Sequence, residues 1–275
     1  MQADATPDHA AAPVPADDRC FLYGDGLFET MLAVDGRVSF ASCHLDRLQR
    51  GAQRLALDLP PDLLTRVRQA LPPRGAFVVR LTLSRGSGPR GYGSRQAGPS
   101  RLRIRNTPLD RDPFVSLPPL HLGLSGVVMA EQPLLAGIKH CNRLEQVLAA
   151  DEAQHLGVDE CLLLNSRGSI QCAIAANVFL LMGELLITPP CEHCGVAGTR
   201  RALVLDELAA RCGMTAREEE ISADDVRRAE GLVLTSATAG IRVVASFAGH
   251  RYSPRDRLLD LQARYSVRLR QCLDA

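Results

Sequence analysis

Along this chain the apolar positions switch between a period of two and a period near 3.6, so strands and helices are interleaved. The stretch TMLAV-DG-RVSF (30–40) places apolar runs on both sides of an Asp-Gly pair, which predicts a β-hairpin. Leu45, Leu48, Ala52 and Leu55 share one face at helical spacing, and Ser42 stands where a capping residue would open that helix. PDLLTRVRQAL (61–71) predicts a second helix; AFVVRLTLS (76–84) and RLRIR (101–105) predict strands. NTPLDRDP (106–113) reads as a linker, and strand-like segments follow around 120–130. Asn142-Arg-Leu-Glu145 has the spacing of a capping box and would open a helix ending near Gly157. ECLLLN (160–165) predicts a strand and NVFLLM-GE-LLIT (177–188) a hairpin. TRRALVLDELAARCG (199–213) predicts an amphipathic helix stopped by Gly213. SADDVRRAE (222–230) predicts a short helix, GLVLTSA (231–237) a strand leading into a loop, and 254–273 a C-terminal helix.

Hairpins dominate over regular βαβ units, so the expected class is α+β, a mixed α/β fold in two subdomains. The expected organisation is a disordered Ala/Pro/Asp-rich lead-in over 1–18, a small α/β domain over 19–108, a linker over 109–118 and a large domain over 119–275 that carries the GIKHCN segment.

Composition narrows the function classes. The 275 residues are 46% apolar and 23% charged, an ordinary globular mix, with a net charge of +1. That balance gives no electrostatic footprint for nucleic acid or for a membrane surface. No apolar run approaches the ~20 residues of a membrane span, and the N-terminal residues lack the basic and apolar regions of a signal peptide. Nine cysteines, an odd number, sit mostly in apolar segments, which favours a reducing, cytoplasmic setting with unpaired thiols. Cys191-Glu-His-Cys194 lacks the second ligand pair that a zinc site needs, so no metal is expected.

One residue stands out against this background. Lys139 is the single lysine among 32 Lys+Arg. Arginine replaces lysine where only charge is needed, but a guanidinium cannot become a neutral nucleophilic amine. The bland explanation is drift toward arginine that spared one codon. The sharper one is that Lys139 does chemistry arginine cannot. Other motifs are weaker. Gly86-Ser-Gly88-Pro-Arg-Gly91 matches G-x-G-x-x-G but does not open a helix, so it reads as a Gly-rich binding loop and not a dinucleotide fingerprint. Gly195-Val-Ala-Gly198-Thr199 opens a predicted helix and could cradle a phosphate. Thr235-Ser-Ala-Thr238-Ala-Gly240 could add a second set of donors, and Arg47 on the first helix would ordinarily be solvated. A Schiff-base lysine with two phosphate cradles and one arginine points to pyridoxal phosphate.

The motifs YGDGLFET (23–30), HLDRL (44–48), SRGSGPRGY (84–92), AGIKHCNRLEQVL (136–148), AANVFL (175–180), ITPPCEHCGVAGTRR (187–201) and TSATAGIRVV (235–244) occur in this order. Together, over about 17–250, the chain resembles the fold-type IV pyridoxal phosphate enzymes. The KHxNRLEQVLA stretch is most similar to the aminodeoxychorismate lyase branch; branched-chain and D-amino acid aminotransferases share the layout but match that stretch less well. The resemblance implies a fold-type IV aminotransferase-like architecture, a small-molecule substrate, and a homodimer. It also implies conversion of 4-amino-4-deoxychorismate to 4-aminobenzoate and pyruvate for folate synthesis. Lys139 would form the Schiff base and move protons. Arg47 would hold the cofactor phosphate, assisted by the backbone at Val196 and Ala197 and by Ala237 and Thr238. Tyr23 and Arg90 are candidates for substrate recognition.

Three departures accompany the likeness. Cys172 stands five residues before Asn177, where the family places the Glu that pairs with the pyridine nitrogen. Glu131 occupies a segment where related lyases carry an Arg, and the usual opening aromatic-Asn-Gly strand is replaced by the lead-in. The rival expectation is therefore a lyase-like paralogue that has lost pyridoxal phosphate and acts without cofactor or as a binding protein. Retention of the sole lysine argues against that rival.

Overall fold

The structure is a computed structural model and describes residues 13–274. Of the expected disordered lead-in, 1–12 lie outside the described residues. Residues 13–18 are built into the fold: Asp18 is 2% exposed, accepts from the Cys20 and Phe21 N–H groups, and takes the Ser84 hydroxyl at 2.6 Å. That carboxylate caps a helix absent from the sequence-based expectation, α1 (Arg19–Tyr23).

The chain forms two compact units. One runs through Pro113 and takes up Ile138–Asn142; the other comprises Phe114–Gly137 and Arg143–Asp274. The sequence placed Lys139 in the later domain, but the contacts of its segment put it in the first unit. Besides α1, that unit holds β1 (Gly26–Val34), β2 (Arg37–Val38), α2 (Ala41–Leu55), α3 (Leu63–Ala70), β3 (Ala76–Ser84) and β4 (Arg101–Pro108). The strands make an antiparallel sheet in the order β2-β1-β3-β4. The hairpin turns where expected: Asp35 and Gly36 have φ of 47° and 76°, the left-handed pair that Asp-Gly tolerates. The cap of α2 differs. Phe40, 6% exposed, enters in a left-handed conformation, so the helix begins at Ala41 and Ser42 lies inside its first turn. Strand β4 runs to Pro108 because pairing with β3 continues to Phe77, which shortens the expected linker.

The second unit holds β5 (Leu120–Met129), α4 (Leu144–Leu156), β6 (Glu160–Asn165), β7 (Ile170–Ala173), β8 (Asn177–Met182), β9 (Leu185–Thr188) and α5 (Thr199–Leu203). It continues through a π-turn at Val204–Leu208 into α6 (Ala209–Arg211), then β10 (Thr215–Glu218), α7 (Ala223–Arg228), β11 (Gly231–Ser236), β12 (Gly240–Phe247), β13 (His250–Arg251) and α8 (Asp256–Asp274). Its sheet has the order β10-β9-β8-β11-β12-β5-β6-β7, with β13 on β12. Strand alternation divides the interior. Leu162 and Ala173 join one large core with Val178, Leu232 and Phe247, while their neighbours Leu163 and Cys172 join Met129, Ala149 and Cys194 in another. The capping box expected at Asn142 and Glu145 does not form: α4 starts after Arg143, Asn142 Nδ2 donates to Gly24 O, and Glu145 Oε1 accepts from Ala130 N. A capping box does form at α7, between Ser222 and Asp225. Among the described residues no helix is long and apolar enough to cross a membrane.

Candidate active site

In the first unit the Lys139 segment lies against the start of β1, joined by an isolated antiparallel bridge. Phe28 N donates to Lys139 O at 2.9 Å, Cys141 N donates to Gly26 O at 3.0 Å, and Leu27 bridges to His140. Ile138 is buried, and Gly51 on α2 approaches so closely that a Cβ there would lie 2.9 Å from Leu27 and 3.6 Å from Ile138. Backbone ties on both sides of Lys139 thus fix where its side chain starts. The side chain is half-buried, and Nζ lies 4.4 Å from the centre of the Phe28 ring. The Arg80 guanidinium lies 3.5 Å from the same ring.

Arg47 is not the solvated cation its sequence context suggests; it is 5% exposed. Its Nε donates to Glu29 Oε1 at 2.7 Å and its Nη2 to Glu29 Oε2 at 2.6 Å, a two-point grip that a planar guanidinium favours. His44 Nδ1 lies 2.7 Å from the same Oε2. Burial pushes the Glu29 carboxyl upward, but hydrogen bonds from Arg47 and His44 outweigh it and hold the group at about 2. Glu29 and His44 therefore set the position of Arg47, and sequence reasoning identified neither. The sign was present, since an acid inside an otherwise apolar strand needs a buried partner.

In the second unit the loop before α5 is held by two side chains that sequence reasoning gave no role. Gln171 Nε2 donates to Pro190 O at 2.7 Å, and Asn177 Nδ2 donates to Val196 O at 2.9 Å. A Cβ on Gly198 would meet Asn177 Oδ1 at 2.0 Å, so any larger residue would have to displace the Asn177 amide. Val196 pairs with Gly137, and Ala197 N donates to Gly137 O at 3.0 Å. The Ala197 N–H, expected to serve a phosphate, donates within the chain in this bridge. The helix opens just after this bridge, where Ala202 N donates to Gly198 O at 3.0 Å.

The second expected cradle, at Ala237 and Thr238, is a half-buried turn between β11 and β12. Just before it, the Thr235 hydroxyl is buried with no partner among the described residues. Arg200, 1% exposed, reaches this turn: Nη2 donates to Ala237 O at 3.3 Å, Nη1 to Thr199 Oγ1 at 3.2 Å, and Nε to Tyr265 Oη at 3.1 Å. The neighbouring Arg201 points elsewhere, to Pro189 O and Glu218.

Cys172 is 8% exposed, and its Sγ lies 3.5 Å from Met129 Sδ. Burial drives its pKa far upward, so the side chain is a neutral thiol at pH 7. Glu160, across the β6–β7 ladder, is pushed up to about 7 by burial, against backbone hydrogen bonds from Ala175 and Ile174. The two substrate candidates differ. Tyr23 is half-buried, with its ring 5.3 Å from that of Tyr92, whereas Arg90 is exposed. The Gly-rich loop that carries Arg90 is held by Arg19, which donates to Gly91 O at 3.0 Å and Tyr92 O at 2.6 Å.

Comparison with known proteins places these features in a family. Residues 26–247 match the model of amino-transferase class IV. A putative branched-chain-amino-acid aminotransferase of Methanocaldococcus jannaschii is 30% identical over 256 residues, covering 88% of this chain and 85% of that protein. The aminodeoxychorismate lyase of Vibrio harveyi is 28% identical over 238 residues, covering 86% and 88%. The crystal structure of 4-amino-4-deoxychorismate lyase from Pseudomonas aeruginosa is 32% identical with a TM-score of 0.82, covering 96% of this chain and 97% of that one. The mixed α/β fold, the order of the motifs and the family match agree: the chain belongs to amino-transferase class IV, the fold-type IV family of pyridoxal phosphate enzymes.

Proposed function

We propose that this protein is an aminodeoxychorismate lyase that takes pyridoxal phosphate and converts 4-amino-4-deoxychorismate to 4-aminobenzoate and pyruvate. The residues present fit that cofactor. Its aldehyde requires a primary amine, and Lys139 is the one lysine, anchored by backbone hydrogen bonds to β1. Its phosphate requires converging donors. The helix start at Thr199 and the Ala237–Thr238 turn would supply them, beside the Thr235 hydroxyl, which has no partner among the described residues. When bound, pyridoxal phosphate would supply an electron sink for the carbon bearing the substrate amine. The Lys139 amine would hold the cofactor and, when free, would take the proton from the amine-bearing ring carbon of the substrate. Loss of that proton together with the enolpyruvyl group makes the substrate ring aromatic, and the enolpyruvate, protonated at carbon, leaves as pyruvate.

The observation that carries the choice of a lyase is Cys172. It stands where the resemblance sets the carboxylate for the ring nitrogen, and as a buried neutral thiol it is a poor partner for a protonated ring. Transamination depends on a strong sink at both half-reactions. A reaction driven by aromatisation depends on it less. The likeness to the Pseudomonas lyase along nearly the whole chain supports the same choice. We propose also that the enzyme is a cytoplasmic homodimer serving folate synthesis. Helix α4 exposes Leu144, Val147 and Leu148 at i, i+3 and i+4, a stripe suited to a second copy.

The test is product analysis. Purified protein given pyridoxal phosphate and 4-amino-4-deoxychorismate should release 4-aminobenzoate, while D-alanine or L-leucine with 2-oxoglutarate should give only trace transamination. Rapid transamination without 4-aminobenzoate would overturn the lyase reading.

A further inference from the structure

We infer that Arg200 is the positioning residue of the phosphate cradle, tying the start of α5 to the Ala237–Gly240 turn so that their donors converge on one phosphate ester. The inference rests on the pyridoxal phosphate reading and adds a residue that neither the family resemblance nor the motif itself assigns.

Three acceptors share this one guanidinium. Ala237 O belongs to the turn, Thr199 Oγ1 to the helix start, and Tyr265 Oη to α8. A planar fork can serve all three at once, which an ammonium on a flexible stem cannot. Because Thr199 Oγ1 accepts from Arg200, its own hydrogen is left to donate outward to an anion. The anchor behind the fork is rigid. Tyr265 is 5% exposed and packs so closely on Gly240 that a Cβ there would lie 2.4 Å from its ring, and Gln262 Nε2, one turn earlier, donates to Ile241 O at 2.8 Å. The turn is thus held from α8 twice, and its distance from the helix start is set through Arg200. Converging N–H and O–H donors bind an anion well only if they are preorganised, so loosening the fork should weaken phosphate binding and leave other contacts intact.

The experiment compares pyridoxal phosphate with pyridoxal, which has the aldehyde and ring but no phosphate. Apoprotein is titrated with each, followed by absorbance, for wild type, Arg200→Met, Arg200→Lys and Tyr265→Phe. Wild type should prefer pyridoxal phosphate. Arg200→Met should weaken pyridoxal phosphate roughly tenfold or more, the size of one charge-assisted contact, while pyridoxal binding stays the same. Arg200→Lys should recover only part of the loss. Should Arg200→Met fail to fold, Tyr265→Phe decides: it keeps the guanidinium but frees one arm, and a selective drop of a few fold supports the clamp. Equal losses for both ligands, or no loss in Arg200→Met or in Tyr265→Phe, would overturn the clamp and leave the cofactor reading standing. Wild type that binds neither ligand would overturn the cofactor reading, and the clamp with it.

Discussion

Burial pushes two glutamates of this protein upward, yet they end on opposite sides of the ordinary carboxylate value because their partners differ. Glu29 is gripped by Arg47 and His44 and sits at about 2, below the ordinary carboxylate value of 4.5. Its ionised form is favoured by the fold, so its contribution is fully present above pH 4.5 and is lost as the pH falls toward 2. Wild type should lose on the order of 3 kcal/mol across that window in urea titrations. Glu29→Gln should lack this part of the acid dependence and be less stable at pH 7, because Arg47 is left buried with a neutral partner. Glu160 has backbone N–H partners but is pushed up to about 7. Here the ionised form is disfavoured, so the cost is absent below pH 4.5 and complete above pH 7. Glu160→Gln should therefore stabilise the protein by on the order of 1–3 kcal/mol at pH 8 and leave it unchanged at pH 4.5. A stabilisation equal at both pH values would contradict this assignment.

At the scale of elements, the loops around the proposed cradle matter more than the strands that carry them. Gly198 has no room for a side chain beside Asn177, and Asn177 holds Val196. Gly198→Ala should push Asn177 aside, cost on the order of 1–3 kcal/mol of stability, and weaken pyridoxal phosphate further than the stability loss explains. Retained cofactor affinity in a folded Gly198→Ala protein would remove the α5 start from the site. Most strands and long helices were legible in the sequence. The run 76–84 is β3 to the residue, and the 177–188 hairpin forms as read, because its two apolar runs, buried on both faces, are parted by a Gly-Glu turn. Caps were less legible. Ser42 and Asn142 carry suitable side chains, but Phe40 burial and the Asn142–Gly24 contact decide where α2 and α4 begin. Those are tertiary effects that local spacing cannot encode. The same holds for Ala197, whose N–H is claimed by Gly137, a residue sixty positions away in sequence. Arg200 was hidden for a related reason. In a chain with so many arginines, nothing local marks the one that ties Thr199, Ala237 and Tyr265 together.

For the molecule as a whole, the exposed face of α4 bears on assembly. Leu144 is 78% exposed and Leu148 58%, on a helix whose opposite side buries Ala149 and Ala153. Sedimentation of the wild type should give a dimer, and Leu148→Glu, which places a charge in that stripe, should shift the population toward monomer. A wild type that sediments as a monomer at all concentrations would remove α4 as an interface. The central claim is narrower still: one lysine among arginines is kept because its amine carries the cofactor. The direct measurement is borohydride reduction of protein incubated with pyridoxal phosphate, followed by peptide mass analysis. A reduced phosphopyridoxyl group should be found on the peptide containing Lys139, and Lys139→Arg should fold normally, show no such adduct, and lose 4-aminobenzoate formation. A wild type that gives no adduct on Lys139, or a Lys139→Arg protein that keeps full activity, would contradict it.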